Sequence, residues 1–392
     1  RNHQKMPHGD GLKGHKWYAP SCQIVPKPGD PNRYYIFTTH GVENGPSSGA
    51  PFDAAHYSEV DLCLNGGLGD VIEATKNTPL FSIAAVRSAV VKHRNGIDYW
   101  IVFHQWNSDA FYCYKVTANG LDPNPVISHA GFSLGLSNWS SGDGGQMKFS
   151  PDGQKLAMVV SQSATAEVYD FNSETGFISG PIVWIPAIFS VNQGNPAYTY
   201  GIEFSPNNEL IYLSRSSGQM LIQYDLTRGG NDEILNSRIF ILGDNINSSD
   251  IGISSMQLGN DGNIYLSSLD LRNGLSGISV ISNPNAKGLD CNFELNVISF
   301  DQSVPSDLPT FPSNYFADNP TIQNNFDCLS PEAQFYLDFA YTRDLNDIKT
   351  THWNFDDAAS GTDNESNLIS PVHIFTSVGL HKITCVVTWL DN

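Results

Sequence analysis

The stretch Met147-Lys148-Phe149-Ser150-Pro151-Asp152-Gly153-Gln154-Lys155-Leu156-Ala157 decides the fold of this chain. An apolar run, a turn and a second apolar run follow one another, which is typical of a β-hairpin. The phrase returns as Ile-Glu-Phe-Ser-Pro-Asn-Asn-Glu-Leu-Ile-Tyr at 202–212 and as Met-Gln-Leu-Gly-Asn-Asp-Gly-Asn-Ile-Tyr-Leu at 256–266. Weaker copies at 23–37 and 88–103 turn at Gly29-Asp30 and Asn95-Gly96. The sequence therefore predicts a series of similar hairpins.

The spacing of these hairpins indicates the architecture. Their turn centres are separated by 66, 57, 55 and 54 residues. A small sheet repeated at this period cannot bury its own faces, so the pattern favours the blades of a β-propeller. Helical periodicity is almost absent, and the fold class is predicted as all-β. We expect six blades, with seven as the alternative, over residues 1–316. Residues 1–20 would be the tail of a first blade that is incomplete at its N-terminus, and Phe293–Phe316 would close the ring.

The repeat pattern ends after Phe316. Residues 317–329 lack alternation and are predicted to be a linker. Residues 330–392 contain four further strand-like runs with aromatic core positions, which favour a small immunoglobulin-like β-sandwich. The predicted strands are Ala333–Ala340, Thr350–Phe355, Pro371–Phe375 and Lys382–Leu390.

The charge balance argues against two classes of partner. The chain has 21 basic and 40 acidic residues, which gives a formal net charge of −19. Nucleic acids and anionic membrane surfaces are bound by clustered Lys and Arg, and no such cluster is present. No apolar run reaches the roughly 18–20 residues that span a bilayer, so membrane insertion is not expected.

The six cysteines are widely spaced and contain no Cys-x-x-Cys pair, which argues against zinc or iron–sulfur ligation. Four of them lie in or beside apolar runs and are expected to be small buried hydrophobes: Cys22, Cys63, Cys113 and Cys385. Cys291 and Cys328 lie in loop-like sequence and are the expected pair if a disulfide exists.

No nucleophile elbow, zinc-protease, P-loop or dinucleotide motif occurs in a supporting context, so no catalytic residue is proposed. His93 and His104 belong to one predicted hairpin and could suggest a metal or acid–base pair. Hairpin register places His104 about six residues beyond the position opposite His93, on the order of 20 Å away. Hydrogen-bonded strand histidines are the expectation.

Two weak candidate sites remain. The acidic loop Asp356–Asp363 offers hard oxygen ligands for a structural Ca²⁺, with Asp356, Asp357 and Asp363 as the candidate ligands, although ordinary turn chemistry is the default. Aromatic residues near predicted strand ends could form a binding face on the propeller for a protein or glycan ligand, although packing between blades explains such positions more often. They are Trp106, Tyr112, Trp139, Tyr198 and Tyr200.

Parts of the sequence resemble known families. The Phe-Ser-Pro-Asp-Gly hairpins resemble WD40-like and YVTN-type propeller repeats. Three further runs are similar to sequences found in large secreted proteins of gliding Bacteroidetes. They are Arg1-Asn2-His3-Gln4-Lys5-Met6-Pro7, His93-Arg94-Asn95-Gly96 and Asn283-Pro284-Asn285-Ala286. The C-terminal module resembles a PKD domain, with Trp353-Asn354-Phe355-Asp356-Asp357 at the position of its Trp-x-Phe-Gly-Asp core and Pro371-Val372-His373-Ile374-Phe375 at its strand entry. Asp356 replaces the usual Gly.

The resemblance implies a secreted or cell-surface protein, associated with the outer membrane and exported by the type IX system. The leading hypothesis is a non-enzymatic scaffold for binding or adhesion, associated with gliding or surface attachment. One alternative is a lactonase- or lyase-like propeller enzyme with a metal in its central funnel. Convergence of His and carboxylate side chains from several blades would favour that enzyme. Another alternative is a structural component of a secretion or motility complex.

Overall fold

The computed structural model describes fourteen parts of the chain. These are residues 4–14, 22–39, 54–131, 133, 145–160, 165–186, 199–215, 220–243, 251–270, 274–300, 307–312, 321–326, 332–338 and 345–389. They form an almost entirely β structure with two short helices, α1 (Leu64–Gly67) and α2 (Asn231–Asn236). The predicted all-β class is confirmed.

The repeats fold into five antiparallel sheets in chain order, numbered here one to five. Sheet one contains β1 (Cys22–Lys27), β2 (Asp30–Thr39), β3 (Ala54–Asp61), β4 (Asp70–Val71) and β5 (Thr78–Ser82). Sheet two contains β6 (Ala84–Lys92), β7 (Tyr99–Gln105), β8 (Ala110–Thr117), β9 (Gly120–Leu121) and β10 (Val126–His129). Each is a meander whose main path has four strands.

Sheets three to five are simple four-stranded meanders. Sheet three contains β11 (Met147–Phe149), β12 (Lys155–Val160), β13 (Thr165–Asn172) and β14 (Phe177–Ile185). Sheet four contains β15 (Thr199–Phe204), β16 (Leu210–Arg215), β17 (Leu221–Asp225) and β18 (Ile239–Leu242). Sheet five contains β19 (Ile251–Leu258), β20 (Ile264–Asp270), β21 (Leu275–Ile281) and β22 (Phe293–Ser299). All five predicted hairpins are therefore formed by the first two strands of a sheet.

The repeated Ser-Pro phrase forms a turn closed by its own side chains. Ser150 Oγ accepts a hydrogen bond from Lys155 N at 2.9 Å and donates to Asp152 Oδ1. In sheet four, Ser205 Oγ accepts from Leu210 N at 2.9 Å and donates to Asn207 Oδ1 at 2.7 Å. The serine hydroxyl satisfies a strand N–H that the turn would leave unpaired. This bond explains why the phrase recurs.

Hydrophobic clusters join consecutive sheets. One lies between sheets one and two, and others lie between two and three, three and four, and four and five. Each buries strand residues from both neighbours, as in Phe111 of sheet two against Tyr169 of sheet three, with ring centroids 5.1 Å apart. The first strands contact one another in series from β1 to β19. Meander sheets packed through their first strands have the arrangement of propeller blades.

Turns of neighbouring sheets are also hydrogen-bonded to each other. Asn208 Oδ1 in the sheet-four turn accepts from Asp152 N in the sheet-three turn at 2.9 Å. Asn285 Oδ1 in sheet five accepts from Asn207 N at 3.0 Å. These bonds link sheets three, four and five at the end that carries their first turns.

No sixth sheet is formed by the parts of the repeat region that the structure describes. Residues 4–14 contain no strand there and instead cover sheet one, where His8 Nδ1 contacts Asp70 Oδ2 at 2.7 Å. Phe293–Ser299, predicted to belong to the closing segment, is the fourth strand of sheet five. Residues 307–312 bridge the ends of the series, because Leu308 N donates to Ser255 Oγ at 2.7 Å and Thr310 Oγ1 donates to Cys22 O at 3.1 Å.

The C-terminal residues form two three-stranded sheets. The first has the order β23 (Thr321–Phe326), β24 (Glu332–Asp338) and β27 (Val372–Ile374). The second has the order β26 (Glu365–Ser366), β25 (Ile348–Asn354) and β28 (Thr384–Trp389). Their shared core contains Phe335, Trp353 and Phe355. Because residues of both sheets contribute to this core, the two sheets pack against each other as two layers.

The predicted linker over 317–329 is wrong in one respect. Thr321–Phe326 is a strand that pairs with Ala333–Asp338 and belongs to the C-terminal module. Asn324 and Asn325 disfavour strands intrinsically, but cross-strand pairing along β24 outweighs that preference.

The cysteines differ from expectation. Cys113 is buried as predicted, but Cys22 is exposed and Cys385 is half-buried. Cys291 is a buried free thiol, so the expected Cys291–Cys328 disulfide is wrong. Cys63 is disulfide-bonded instead, and its partner lies outside the described residues. Cys291 packs in the core between sheets four and five, which accounts for its burial as a thiol.

Candidate functional site

A large cleft lies between sheets one to three and the C-terminal module. Its volume is about 1690 Å³. The turns between first and second strands form much of its floor, together with the β13–β14 turn. Strand β23 and the segment from His381 to Ile383 contribute from the module, and residues 310–312 contribute from the bridging segment. The cleft is the candidate site.

The turns of sheets two and three hold each other in place beside the cleft. Arg94 N donates to Ser173 O at 3.0 Å, and the indole N–H of Trp100 donates to the same oxygen at 2.9 Å. His93 stacks on Trp100 with ring centroids 5.7 Å apart. His93 Nδ1 accepts from Asn95 N, so Nε2 carries the proton and donates to Glu174 O at 3.0 Å. Both nitrogens of His93 are therefore engaged within the protein.

His93 and His104 do not form a site, in agreement with the predicted register. His93 N donates to Asp98 O at 2.8 Å, so His104 lies six residues further along β7. His104 is fully buried against Phe111, and neither ring nitrogen has a hydrogen-bond partner among the described residues. Burial, together with the positive charge of Arg87, lowers the pKa of His104 to about 3. His104 is therefore neutral.

His381 is the titratable group of the module that lines the cleft. Its Nδ1 lies 2.9 Å from Asp356 O and its Nε2 lies 3.1 Å from Ser377 O. Both partners are carbonyl oxygens, which only accept, so the two contacts are both hydrogen bonds when the ring is an imidazolium. The hydrogen bond to Asp356 O is the main cause that raises the pKa of His381. This ring joins two loops of the module.

The polar side chains where the first strands meet are satisfied internally. Lys148 Nζ lies 3.4 Å from Glu203 Oε2 and 2.5 Å from Gln257 Oε1. Glu203 also accepts from Leu258 N at 3.0 Å and from Phe204 N at 3.1 Å. Burial lowers the pKa of Lys148, and the Glu203 carboxylate opposes this shift. These side chains connect sheets three, four and five.

No convergent metal centre is present in the part of the chain that the structure describes. No group of three or more His, Cys, Asp or Glu side chains there could hold a metal ion. The described polar groups that meet between the first strands also include the buried guanidinium of Arg87, which donates to Val159 O, and the amides of Gln23 and Gln146.

Two of the predicted Ca²⁺ ligands, Asp356 and Asp357, accept hydrogen bonds from different groups of the protein. Asp357 is buried, and its carboxylate accepts hydrogen bonds from His373 Nε2 at 3.0 Å, Thr376 N at 2.9 Å and Thr376 Oγ1. The Thr376 bonds are the main cause that lowers the pKa of Asp357. Asp356 Oδ2 accepts from Lys382 N at 3.0 Å, and Asp363 is exposed. The structure does not bring the three carboxylates together.

Of the aromatic residues predicted to form a binding face, the three that the structure describes, Trp106, Tyr112 and Tyr200, do not line the cleft. Tyr112 stacks on Phe81 with ring centroids 4.1 Å apart, between sheets two and one. Tyr200 is buried and donates to Asp307 Oδ2 at 2.9 Å. Trp106 is half-buried at the β7–β8 turn. Trp139 and Tyr198 lie outside the described residues. Packing therefore accounts for Tyr112 and Tyr200.

Sequence reasoning did not predict the cleft. Its floor residues lie in turns of three separate repeats, and turn chemistry alone explained them. The exposed apolar residue Ile97, next to the Asn95-Gly96 turn, was the available signal, because a hairpin tip usually carries polar residues.

The comparisons with known proteins do not identify a family. No protein-family profile matches the chain, and no curated protein matches it. Among solved structures, a proposed 6-phosphogluconolactonase from Bacteroides fragilis is 13% identical, with a TM-score of 0.44 and coverage of 96% of this chain and 89% of its own. A proposed 6-phosphogluconolactonase from Bacteroides uniformis is 12% identical, with a TM-score of 0.43 and coverage of 76% and 89%.

A third similar structure is the β-propeller domain of Cps50 (Swd1) from Myceliophteria thermophila. It is 8% identical, with a TM-score of 0.34 and coverage of 64% of this chain and 67% of its own. These similarities are too weak to assign an activity to this chain.

Proposed function

We propose that this chain is a non-enzymatic binding scaffold in which the cleft accepts a segment of a polymeric ligand. The cleft itself carries this proposal. Its volume of about 1690 Å³ exceeds the roughly 300–1,000 Å³ that is usual for small-molecule sites. Both of its histidines are engaged by protein atoms, which leaves neither ring free to act as a base. A protein or a glycan is the class of partner.

We place the scaffold at the cell surface or outside the cell, as a type IX export substrate that takes part in gliding or attachment. The closed propeller and the PKD identity of the C-terminal module belong to the same proposal. The disulfide of Cys63 supports an oxidising compartment, because such bonds are rare where thiols are kept reduced. Among the described residues, no helix has the length and apolar character to cross a membrane.

Immobilised protein, probed with arrays of soluble glycans and peptides, tests the proposal. We expect at least one array member to bind, and we expect Phe177→Asp to reduce that binding at least tenfold. Ile369→Asp is the matched control, because Ile369 is exposed on the module and does not line the cleft. Lactone hydrolysis by the same preparations would favour the enzyme alternative. The scaffold proposal would be wrong if no glycan or peptide of the array bound the protein, or if Phe177→Asp bound the same ligand as tightly as the parent protein.

A further inference from the structure

We propose that the occupant of the cleft is an extended acidic peptide segment that also carries apolar side chains. This inference rests on the proposed function and names its ligand class. In this arrangement, apolar side chains of the peptide contact Ile24, Ile97 and Phe177. Its carboxylates pair with the ammonium groups of Lys27 and Lys155.

Exposed apolar side chains from three different sheets converge on the cleft. Ile24 of sheet one is 54% exposed, Ile97 of sheet two 59% and Phe177 of sheet three 51%. Ile322 and Ile383 contribute half-buried apolar surface from the module. Prolines 26, 28, 31 and 312 extend this lining. Apolar patches gathered in a cleft rather than scattered singly indicate a binding surface.

The charge of the lining contrasts with the charge of the chain. The chain carries 21 basic and 40 acidic residues. The cleft is lined by four basic residues, Lys27, Lys92, Arg94 and Lys155, and by three acidic ones, Asp30, Asp152 and Asp170. The lining therefore contains one more basic than acidic residue, in a protein with a net charge of −19. An acidic segment is repelled less here than on the average surface.

Two of the four cations that line the cleft already have partners in the protein, because Arg94 Nη1 lies 3.5 Å from Glu174 Oε2 and Lys92 also interacts with another residue. Asp152 Oδ1 accepts from Gln154 N at 3.0 Å, and Asp30 Oδ1 accepts from Asn32 N at 3.2 Å. Within the described part of the chain, the Nζ atoms of Lys27 and Lys155 form no ion pair or side-chain hydrogen bond. Asp170 lies opposite Lys155 on the neighbouring strand and compensates part of its charge. Lys27 and Lys155 therefore offer ammonium groups that can pair with carboxylates of a ligand.

Three polar side chains of the cleft are already engaged by the protein, and they are not free to bind sugar hydroxyls. Sugar hydroxyls require several fixed donors and acceptors. Asn172 Oδ1 already accepts from Glu174 N at 3.0 Å and Thr175 N at 3.1 Å. His93 and His381 are engaged as well. The lining also contains Tyr34, Gln154 and Ser179, which can bond to the backbone of an extended peptide whose apolar side chains contact the isoleucines and Phe177.

Fluorescence anisotropy with defined probes tests the inference. The first probe is a labelled peptide of about 12 residues with repeated Glu-Pro-Leu, since a proline-rich peptide is extended before it binds. The second has Gln in place of each Glu, and the third is polygalacturonate. Lys27→Glu and Lys155→Glu are compared with Lys349→Glu, which changes an exposed lysine outside the cleft. Thermal melting checks that each variant is folded.

We expect the glutamate peptide to bind, and each cleft substitution to weaken it about fivefold, the effect of about 1 kcal/mol from one partly screened ion pair. Lys349→Glu should leave its affinity unchanged, and the glutamine peptide should bind at least fivefold more weakly. Equal binding of the glutamine peptide, or tighter binding of polygalacturonate, would overturn the acidic-peptide inference. If no probe binds while the array has a ligand sensitive to Phe177→Asp, the inference fails and the proposed function stands. If the array has no ligand either, both fail.

Discussion

The side-chain amide of Gln146 makes a pair of hydrogen bonds with the backbone of Met256. Its Nε2 donates to Met256 O at 3.0 Å, and its Oε1 accepts from Met256 N at 2.8 Å. Gln146 precedes β11 of sheet three, and Met256 lies in β19 of sheet five. One side chain therefore replaces a strand–strand pairing between two sheets that are not consecutive.

Replacing this amide should destabilise the fold. Gln146→Leu keeps the volume but leaves the buried N–H and C=O of Met256 without partners. Each unsatisfied group costs about 1–3 kcal/mol, so the two together should lower the free energy of unfolding by about 2–6 kcal/mol. Urea denaturation measures it. Gln154→Leu, on an exposed turn residue, is the matched control and should change stability by less than about 0.5 kcal/mol.

His104 should make stability depend on pH. Its pKa in the folded protein is lowered to about 3, whereas the unfolded value is near 6.5. Between these values the unfolded chain binds a proton that the folded protein does not, so stability is full above 6.5 and falls as the pH falls. The contribution to the slope is about 1.4 kcal/mol per pH unit.

The variant His104→Phe keeps a ring against Phe111 and should remove this slope. Urea midpoints measured between pH 7 and pH 5 compare it with the parent protein. His352→Phe, which changes an exposed histidine, is the control and should keep the slope. An unchanged pH dependence in His104→Phe would contradict the assignment.

His381 should act in the opposite direction. Its pKa is raised by the carbonyl of Asp356, so its contribution to stability is complete below the unfolded value near 6.5. The contribution is lost as the pH rises through the raised pKa. We expect the thermal midpoint of the C-terminal module to fall over that window, with the indole N–H resonance of the buried Trp353 as the probe. In His381→Gln, the thermal midpoint of the module should not change with pH over that window. A pH dependence of the midpoint equal to that of the parent protein would contradict the imidazolium assignment.

Calcium should not stabilise the C-terminal module. Both carboxylate oxygens of Asp357 accept hydrogen bonds, and Asp356 is held by Lys382 N. We expect the melting temperature of the module to be the same in millimolar CaCl₂ and in chelator. A calcium-dependent increase that Asp363→Asn abolishes would restore the Ca²⁺ hypothesis.

The hairpins and the sheet order could be predicted because their information is local. Ser150, Asp152 and Gly153 specify a turn by themselves, and the strands on either side alternate around it. The pairing of Thr321–Phe326 with β24 could not be predicted, because two asparagines in that segment suggest a loop and only the partner strand reverses this. The contacts of residues 307–312 with Ser255 and Cys22 could not be predicted either, because they form only when sheets five and one are close in space.

The candidate site was the least predictable part. Ile24, Ile97 and Phe177 lie in different repeats, and no local rule places three turns and a separate module around one cleft. The aromatic residues chosen from strand ends were plausible, but Tyr112 and Tyr200 fill contacts between sheets. Exposed apolar residues in or beside turns, such as Ile97 and Phe177, would have been the better criterion, since a turn residue has no packing role within its own sheet.

The hydrogen bond from Asp152 N to Asn208 Oδ1 constrains how this chain can change over time. Surface turns normally accept insertions and deletions, because their length affects only the hairpin that they close. Here the turn of sheet four is hydrogen-bonded to the turn of sheet three, and Asn285 of sheet five is hydrogen-bonded to the turn of sheet four in the same way. An insertion or deletion in one turn would break its hydrogen bond to the turn of the next sheet. A change of length in one of these turns therefore requires a compensating change in its neighbour.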